Sequence, residues 1–421
     1  MSTRAYIETM MVGARPKAMA ALVRYFRDLD TAEEAFQEAC LRALRNWTAN
    51  GPPRDATAWL IMVAKNAAID GKRRRAREVP LPPEELLSDL DDGESRAVEA
   101  LDSGNYRDDI LRLLFVCCHP ELPATGQIAL ALRIVSGLSV AQIARAFLVG
   151  ESAMEQRITR AKARIAAADI PFDAPGPIER AERLAAVAAM IYLVFNEGYT
   201  RDVAGHGPRA PLCSEAIRLA RLLVSLFPAE PEIMGLLALL LLQNARAAAR
   251  FTPDGRTVLL EDQDRTLWDR TSIAEGLALV DKAMRHRRPG PYQVQAAIAA
   301  LHARAPSFSA TDWIGIERLY QALEGMQPSA VVTLNRAVAV FKARGAGEAL
   351  DLIEPLAERL AGYFYFHGAR GAFLQALGQS EEARVAFDRA IALANTPAEA
   401  AHIRCQIERL GATPSDGRSR G

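Results

Sequence analysis

Apolar residues recur along this chain of 421 residues at the spacing of helices, and strict alternation is almost absent. Phe36, Cys40, Ala43, Leu44 and Trp47 fall at i, i+4, i+7, i+8 and i+11, one face of a helix. Thr31 with Glu34 predicts a capping box at its start. The stretch TAWLIMVAKNAAIDGKRRRAR (Thr57 to Arg77) begins as an amphipathic helix and ends in Lys72, Arg73, Arg74, Arg75 and Arg77. Further on, LNRAVAVFKARGAGEALDLIEPL is followed by ARGAFLQALGQSEEARVAFDRAI, with Gly345 and Gly378 about 33 residues apart. Ala383, Phe387, Ala390 and Ile391 share one face of the second copy. Paired helices around a glycine turn at this period match the tetratricopeptide unit. The pattern predicts an all-α fold: two small helical domains, the second a helix-turn-helix, then a tetratricopeptide-like domain.

Two breaks set the expected boundaries. VPLPPEELLSDLDDGESRAVEA (Val79 to Ala100) holds three prolines and seven acids against one arginine, and reads as a linker. IPFDAPGP (Ile170 to Pro177) stops the preceding helix with three prolines. The expected layout is 1–80, a linker over 81–104, a second domain over 105–169, a hinge over 170–177, a helical domain over 178–412 and a disordered tail over 413–421.

The segment GLSVAQIARAFLVGESAMEQRITRAKARI (Gly137 to Ile165) carries the most specific signal. Ser139 with Gln142, and Ser152 with Glu155, predict capping boxes on either side of a short turn. In the second helix Met154, Ile158, Ala161 and Ile165 form a packing stripe, and Ser152, Ala153, Gln156, Arg160 and Arg164 lie opposite. An apolar back and a front that is basic and short-chained suit a recognition helix in the major groove. An ordinary hairpin with a solvated basic face stands as the alternative.

Composition adds a constraint. Lys+Arg 51 against Asp+Glu 51 make the net charge zero, which by itself argues against a nucleic-acid binder. Residues 1–170 are also balanced, with 23 basic and 23 acidic side chains, but the charge is segregated: basic at Lys72–Arg77 and Arg157–Arg164, acidic in the linker and the Thr31–Trp47 helix. Such an arrangement suits DNA binding that depends on a partner. The five cysteines are odd in number and scattered, which predicts buried thiols in a reducing cytoplasm and no disulfide framework. Ile233 to Leu242 is apolar but too short to cross a bilayer, and reads as a core helix with no membrane role. No catalytic constellation, cofactor motif or metal set is evident, so no enzyme, cofactor or metal is expected. FNEGY (Phe195 to Tyr199) and EDQDR (Glu261 to Arg265) read as polar loops; Glu261, Asp262 and Asp264 suit an ion-pair or turn role better than a cation site.

Several of these segments resemble the extracytoplasmic-function class of sigma-70 RNA polymerase sigma factors. DLDTAEEAFQEACLRALRNW is similar to that family's core-binding helix, AWLIMVAKNAAIDGKRRR to its promoter-melting signature, and MEQRITRAKARI to its recognition helix. IYLVFNEGYT, LCSEAIRLARLL, RTVLLEDQDRTLWDR, GPYQVQAAIAALHA and VVTLNRAVAV resemble the C-terminal helical extension of one subgroup. The resemblance implies that Glu33, Glu34, Phe36, Gln37 and Glu38 bind core RNA polymerase at its clamp, with a further contact at its flap. It implies that Trp59, Lys65, Asn66, Arg73 and Arg74 engage the −10 promoter DNA, with the loop Thr48 to Thr57 holding a flipped base. Trp59 also reads as core. Ser152, Ala153, Gln156, Arg157, Arg160, Lys162 and Arg164 are the expected −35 contacts. Glu155 stands where many members carry a Lys. The extension is expected to regulate or support activity, with an intramolecular contact to the sigma domains. A ligand-sensing regulator or a tetratricopeptide scaffold that never joins polymerase is the competing reading.

Overall fold

The computed structural model describes residues 3–76, 103–147, 149–168, 177–199, 210–252, 258–394 and 397–411, and these are helical with no strand among them. The chain forms two compact units, Met1–Glu197 and Gly198–Gly421. Most of the 81–104 linker, the 170–177 hinge except Pro177, and the 413–421 tail lie outside the described residues.

In the first unit, α1 (Thr3–Phe26), α2 (Leu29–Asn50) and α3 (Ala56–Ala76) pack on one another. The apolar stripe explains why: Phe36, Ala43 and Trp47 are buried along one side of α2, and Leu60 is fully buried on α3. Trp47 and Trp59 meet edge to face at 5.2 Å between ring centroids, a geometry that adds roughly 0.5–1.5 kcal/mol to the area they bury. The start of α2 differs from the expected capping box. Asp28 is the cap, accepting from the Thr31 amide at 2.6 Å, so Thr31 already lies inside the helix. The expected 48–57 loop is shorter as well: α2 runs to Asn50, and Asp55 accepts from the Thr57 and Ala58 amides to open α3.

Next come α4 (Ser103–Cys117), α5 (Ala124–Ile134), α6 (Val140–Ala146) and α7 (Glu151–Ala167). The α6–α7 pair is the helix-turn-helix. Ser139 and Gln142 form the expected box, with bonds of 3.1 and 2.8 Å in the two directions. Ser152 and Glu155 do not form one: Gly150 precedes α7, which begins at Glu151 with no side-chain cap. Gly150 takes the extended conformation that starts the helix, so Ser152 falls one residue inside it and is free to face solvent.

α8 (Pro177–Tyr199) corrects one expectation. FNEGY ends this helix and is no loop insertion. The first compact unit extends through Glu197 and so takes in most of α8. Arg183 lies over the Phe115 ring of α4 at 5.6 Å, one contact that draws the helix there.

The second unit contains α9 (Ala210–Leu226), α10 (Pro231–Asn244), α11 (Arg270–Arg285), α12 (Pro291–Arg304), α13 (Trp313–Met326), α14 (Ala330–Arg344), α15 (Ala346–Ile353), α16 (Phe364–Ala376), α17 (Ser380–Leu393) and α18 (Pro397–Gly411). Helices adjacent in sequence pack together along much of the unit. Gly345 and Gly378 mark the expected turns with φ of 107° and 77°, a region where a side chain would be strained. Ala383, Phe387 and Ala390 are buried in a cluster with Phe364, Leu374 and Ile403. With the residues that follow it, α10 is long and apolar enough to cross a membrane by length and composition. It is instead a core helix, buried from Ile233 through Leu242. Cys117, Cys118 and Cys213 are buried thiols, whereas Cys405 is exposed and Cys40 is half-buried.

Candidate promoter and polymerase interface

The front of α7 is built as the hydrophobic pattern requires. Met154, Ile158, Ala161 and Ile165 are buried, and the turn α6–α7 presents the opposite face outward. Ser152, Ala153, Gln156, Arg160 and Arg164 are all exposed, and Arg157 is half-buried beside them. The two arginines are steadied from behind: Arg160 Nε donates to the Gln156 carbonyl at 3.2 Å and Arg164 Nη1 to the Glu121 carbonyl at 3.3 Å. Short residues near the helix N-terminus and arginines further along can approach base edges and phosphates together.

Lys162 is placed differently from its expected −35 role. It turns off the front and donates to Asp30 at 2.5 Å and Glu33 at 2.8 Å, both on α2. Burial alone would lower its amine, but the bonds to Asp30 and Glu33 outweigh that and hold it above its ordinary pKa. Glu33 is correspondingly hidden. Only 4% of it is exposed, and Arg133 reaches it at 2.5 Å from the other side. Around this clasp Arg15 of α1 donates to the carbonyls of Ile134 and Arg133 at 3.0 and 3.1 Å. Arg15 lies against Gly137, at φ 76°, where a Cβ would collide with its side chain. Arg24 of α1 pairs with buried Asp109 of α4 at 3.0 Å. The first three helices and the helix-turn-helix are therefore held closed on each other by ion pairs.

That closure corrects the expected polymerase surface. Glu34 and Gln37 are exposed and Glu38 is half-buried, bonded to Arg42 at 2.9 Å. Phe36, by contrast, is buried, with the Arg15 guanidinium 4.9 Å from its ring, and Glu33 faces Lys162 and Arg133. An aromatic residue on the apolar stripe belongs to the core, which is why Phe36 cannot also be a surface anchor.

On α3, Asn66 is exposed, and Lys65 is half-buried with its ammonium 4.7 Å from the Tyr25 ring. Burial, then the neighbouring Arg24, lower the Lys65 pKa. Trp59 is 9% exposed and packed on Trp47, so its place is the core and not a stacking surface. The side chains of Arg73 and Arg74 lie outside the described residues. Asp30, Arg15, Arg24, Asp109 and Arg133 were not among the expected site residues. Their partners lie on remote helices, as far as 132 positions away for Asp30 and Lys162, and no local pattern marks such pairs.

A helical core with a promoter-type helix-turn-helix defines a DNA-binding transcription protein. Comparison with known proteins agrees: residues 11–78 match sigma-70 region 2, residues 112–165 match sigma-70 region 4, and residues 183–284 match a family of unknown function (DUF6596). An uncharacterized protein of Rhizobium meliloti (strain 1021) is 67% identical over 415 residues, covering 99% of this chain and 98% of the relative. The chain belongs to the sigma-70 family, as an extracytoplasmic-function-like sigma factor with a C-terminal helical extension. Its role is that of a sigma factor, binding RNA polymerase and promoters.

Proposed function

We propose that the exposed face of α7 reads the −35 element through Ser152, Ala153, Gln156, Arg157, Arg160 and Arg164. Asn66 and Lys65, with Arg73 and Arg74, engage the −10 strand, while Glu34, Gln37 and Glu38 meet the polymerase clamp and the helix-turn-helix meets its flap. The observation that carries this reading is the segregation on α7, where every residue of the apolar stripe is buried and the polar front is open. Glu33 and Lys162 join polymerase and DNA only after their mutual clasp opens. The factor thus binds polymerase from a closed resting state, in keeping with its neutral charge. Work alongside polymerase puts the protein in the cytoplasm.

Run-off transcription with purified core polymerase and a promoter mapped from the genome tests this. Arg160→Ala should weaken promoter binding by about 1–3 kcal/mol if Arg160 reads a base. Unchanged binding removes α7 as the reader. Co-purification with core polymerase separates the sigma reading from a regulator or scaffold that never joins it.

The second unit, with its tetratricopeptide-like paired helices, is the regulatory or supporting element. A chain ending at Glu197 that transcribes with normal regulation would remove that role.

A further inference from the structure

FNEGY and EDQDR, which the promoter-reading surface leaves unused, both contribute to one basic cluster in the second unit. Tyr199 stands between two guanidiniums. Arg250 stacks 3.6 Å from its ring centroid and donates to its carbonyl at 2.8 Å, and Arg246 Nη2 donates to its hydroxyl at 3.3 Å. Arg265 faces Arg246 electrostatically. It lies 4.5 Å from the Trp268 ring and donates through one Nη to the carbonyls of His302 and Ala305, both at 2.7 Å, closing the end of α12.

Two features coincide in this cluster. Arg246, Arg250 and Arg265 bring three positive charges together, and none forms an ion pair with a carboxylate among the described residues. Other arginines packed within this unit do have carboxylate partners: Arg336 with Glu324, Arg344 with Glu317 and Arg370 with Glu354. Second, buried polar atoms around Arg265 lack partners: its own Nη2, Trp268 Nε1 and His302 Nδ1. Trp268 is only 3% exposed. Burial, then Arg246 and Arg265, lower the His302 pKa to about 4, which leaves a neutral ring beside the guanidiniums. A folded protein rarely keeps concentrated like charge and unsatisfied buried donors without a compensating group. Guanidinium and indole N–H groups only donate, so the group that satisfies them is an acceptor, and the three guanidiniums around it favour one that is negative.

We infer that the extension binds a small oxyanion, a phosphate or a carboxylate, between Arg246, Arg250, Arg265, Trp268 and His302. The site lies on a unit that joins neither promoter nor polymerase in the reading above, so it stands or falls independently of that reading. An anion there would make the extension a receptor for a small acidic molecule.

Thermal unfolding and calorimetric titration of the full chain test it, in chloride buffer of constant ionic strength with inorganic phosphate or citrate added. Saturable stabilisation by phosphate assigns a phosphate group, and saturable stabilisation by citrate assigns a carboxylate. Trp268→Phe keeps the packing and removes one donor, so affinity should fall about tenfold, the loss of one charge-assisted hydrogen bond. Arg246→Gln should fall further. No saturable effect of either anion beyond chloride, or equal effects on wild type and both variants, overturns the inference.

Discussion

Replacing Lys162 with Met keeps the aliphatic stem on α7 and removes the charge that clasps α2. Its side chain is 15% exposed and bonds two carboxylates; the side chain of one, Glu33, is 6% exposed and that of the other, Asp30, is 71% exposed. Breaking a fully buried pair costs roughly 3–5 kcal/mol. The Asp30 bond is screened by water and is worth little, and Glu33 keeps Arg133, so we assign the change about 2 kcal/mol, at the lower end of buried charge-assisted bonds. That favours opening by roughly thirtyfold. If only the open form binds polymerase, apparent affinity for core should rise by up to the same factor. The assay is core-polymerase binding without DNA, together with the distance between dyes on α2 and α7. Leaving Glu33 in place avoids confusing opening with loss of an expected polymerase contact. A lengthened dye distance without tighter core binding would show that closure does not restrain polymerase. If neither changes, the clasp does not hold the two domains together.

Three further outcomes follow from the geometry. Ser139→Ala removes one bond of the α6 capping box and should destabilise the first unit by about 1 kcal/mol, measured by denaturant unfolding. Trp59→Ala opens the Trp47 contact and should cost about 3–5 kcal/mol, whereas Trp59→Phe should be milder; equal promoter melting by Trp59→Phe and wild type would confirm that Trp59 supports the site from the core. His302 has a folded pKa depressed to about 4 beside Arg246 and Arg265, so without added anion its contribution to stability is present above pH about 6.5. It should decline as pH falls from there to about 4, because the unfolded chain binds the proton first. His302→Gln should flatten that part of a stability–pH curve, and an unchanged slope would refute the assignment.

The promoter-reading face of α7 was legible because it is local: a stripe at helical spacing says which side is buried, and the residues opposite are then exposed. The same rule, applied to α2, places Phe36 correctly. Its place on the stripe marks it as core, yet resemblance to a polymerase-binding helix drew it to the surface. Trp59 was open to both readings, and packing against Trp47 settled it. Capping was legible where the hydroxyl residue is the true N-cap, at Ser139, and not at Thr31 or Ser152, where Asp28 and Gly150 take the extended conformation three and two positions earlier.

What the amino-acid sequence by itself determined is the helical character of both units, the buried and open sides of α7, and the family. These depend on side-chain periodicity and short-range spacing, which fold any helix the same way wherever it packs. The tertiary structure alone decided that Lys162 clasps Asp30 and Glu33, and that Tyr199, Arg250 and Arg265 gather with Trp268 and His302. Those arrangements join residues tens to more than a hundred positions apart, and only packing of whole helices brings their charges within reach.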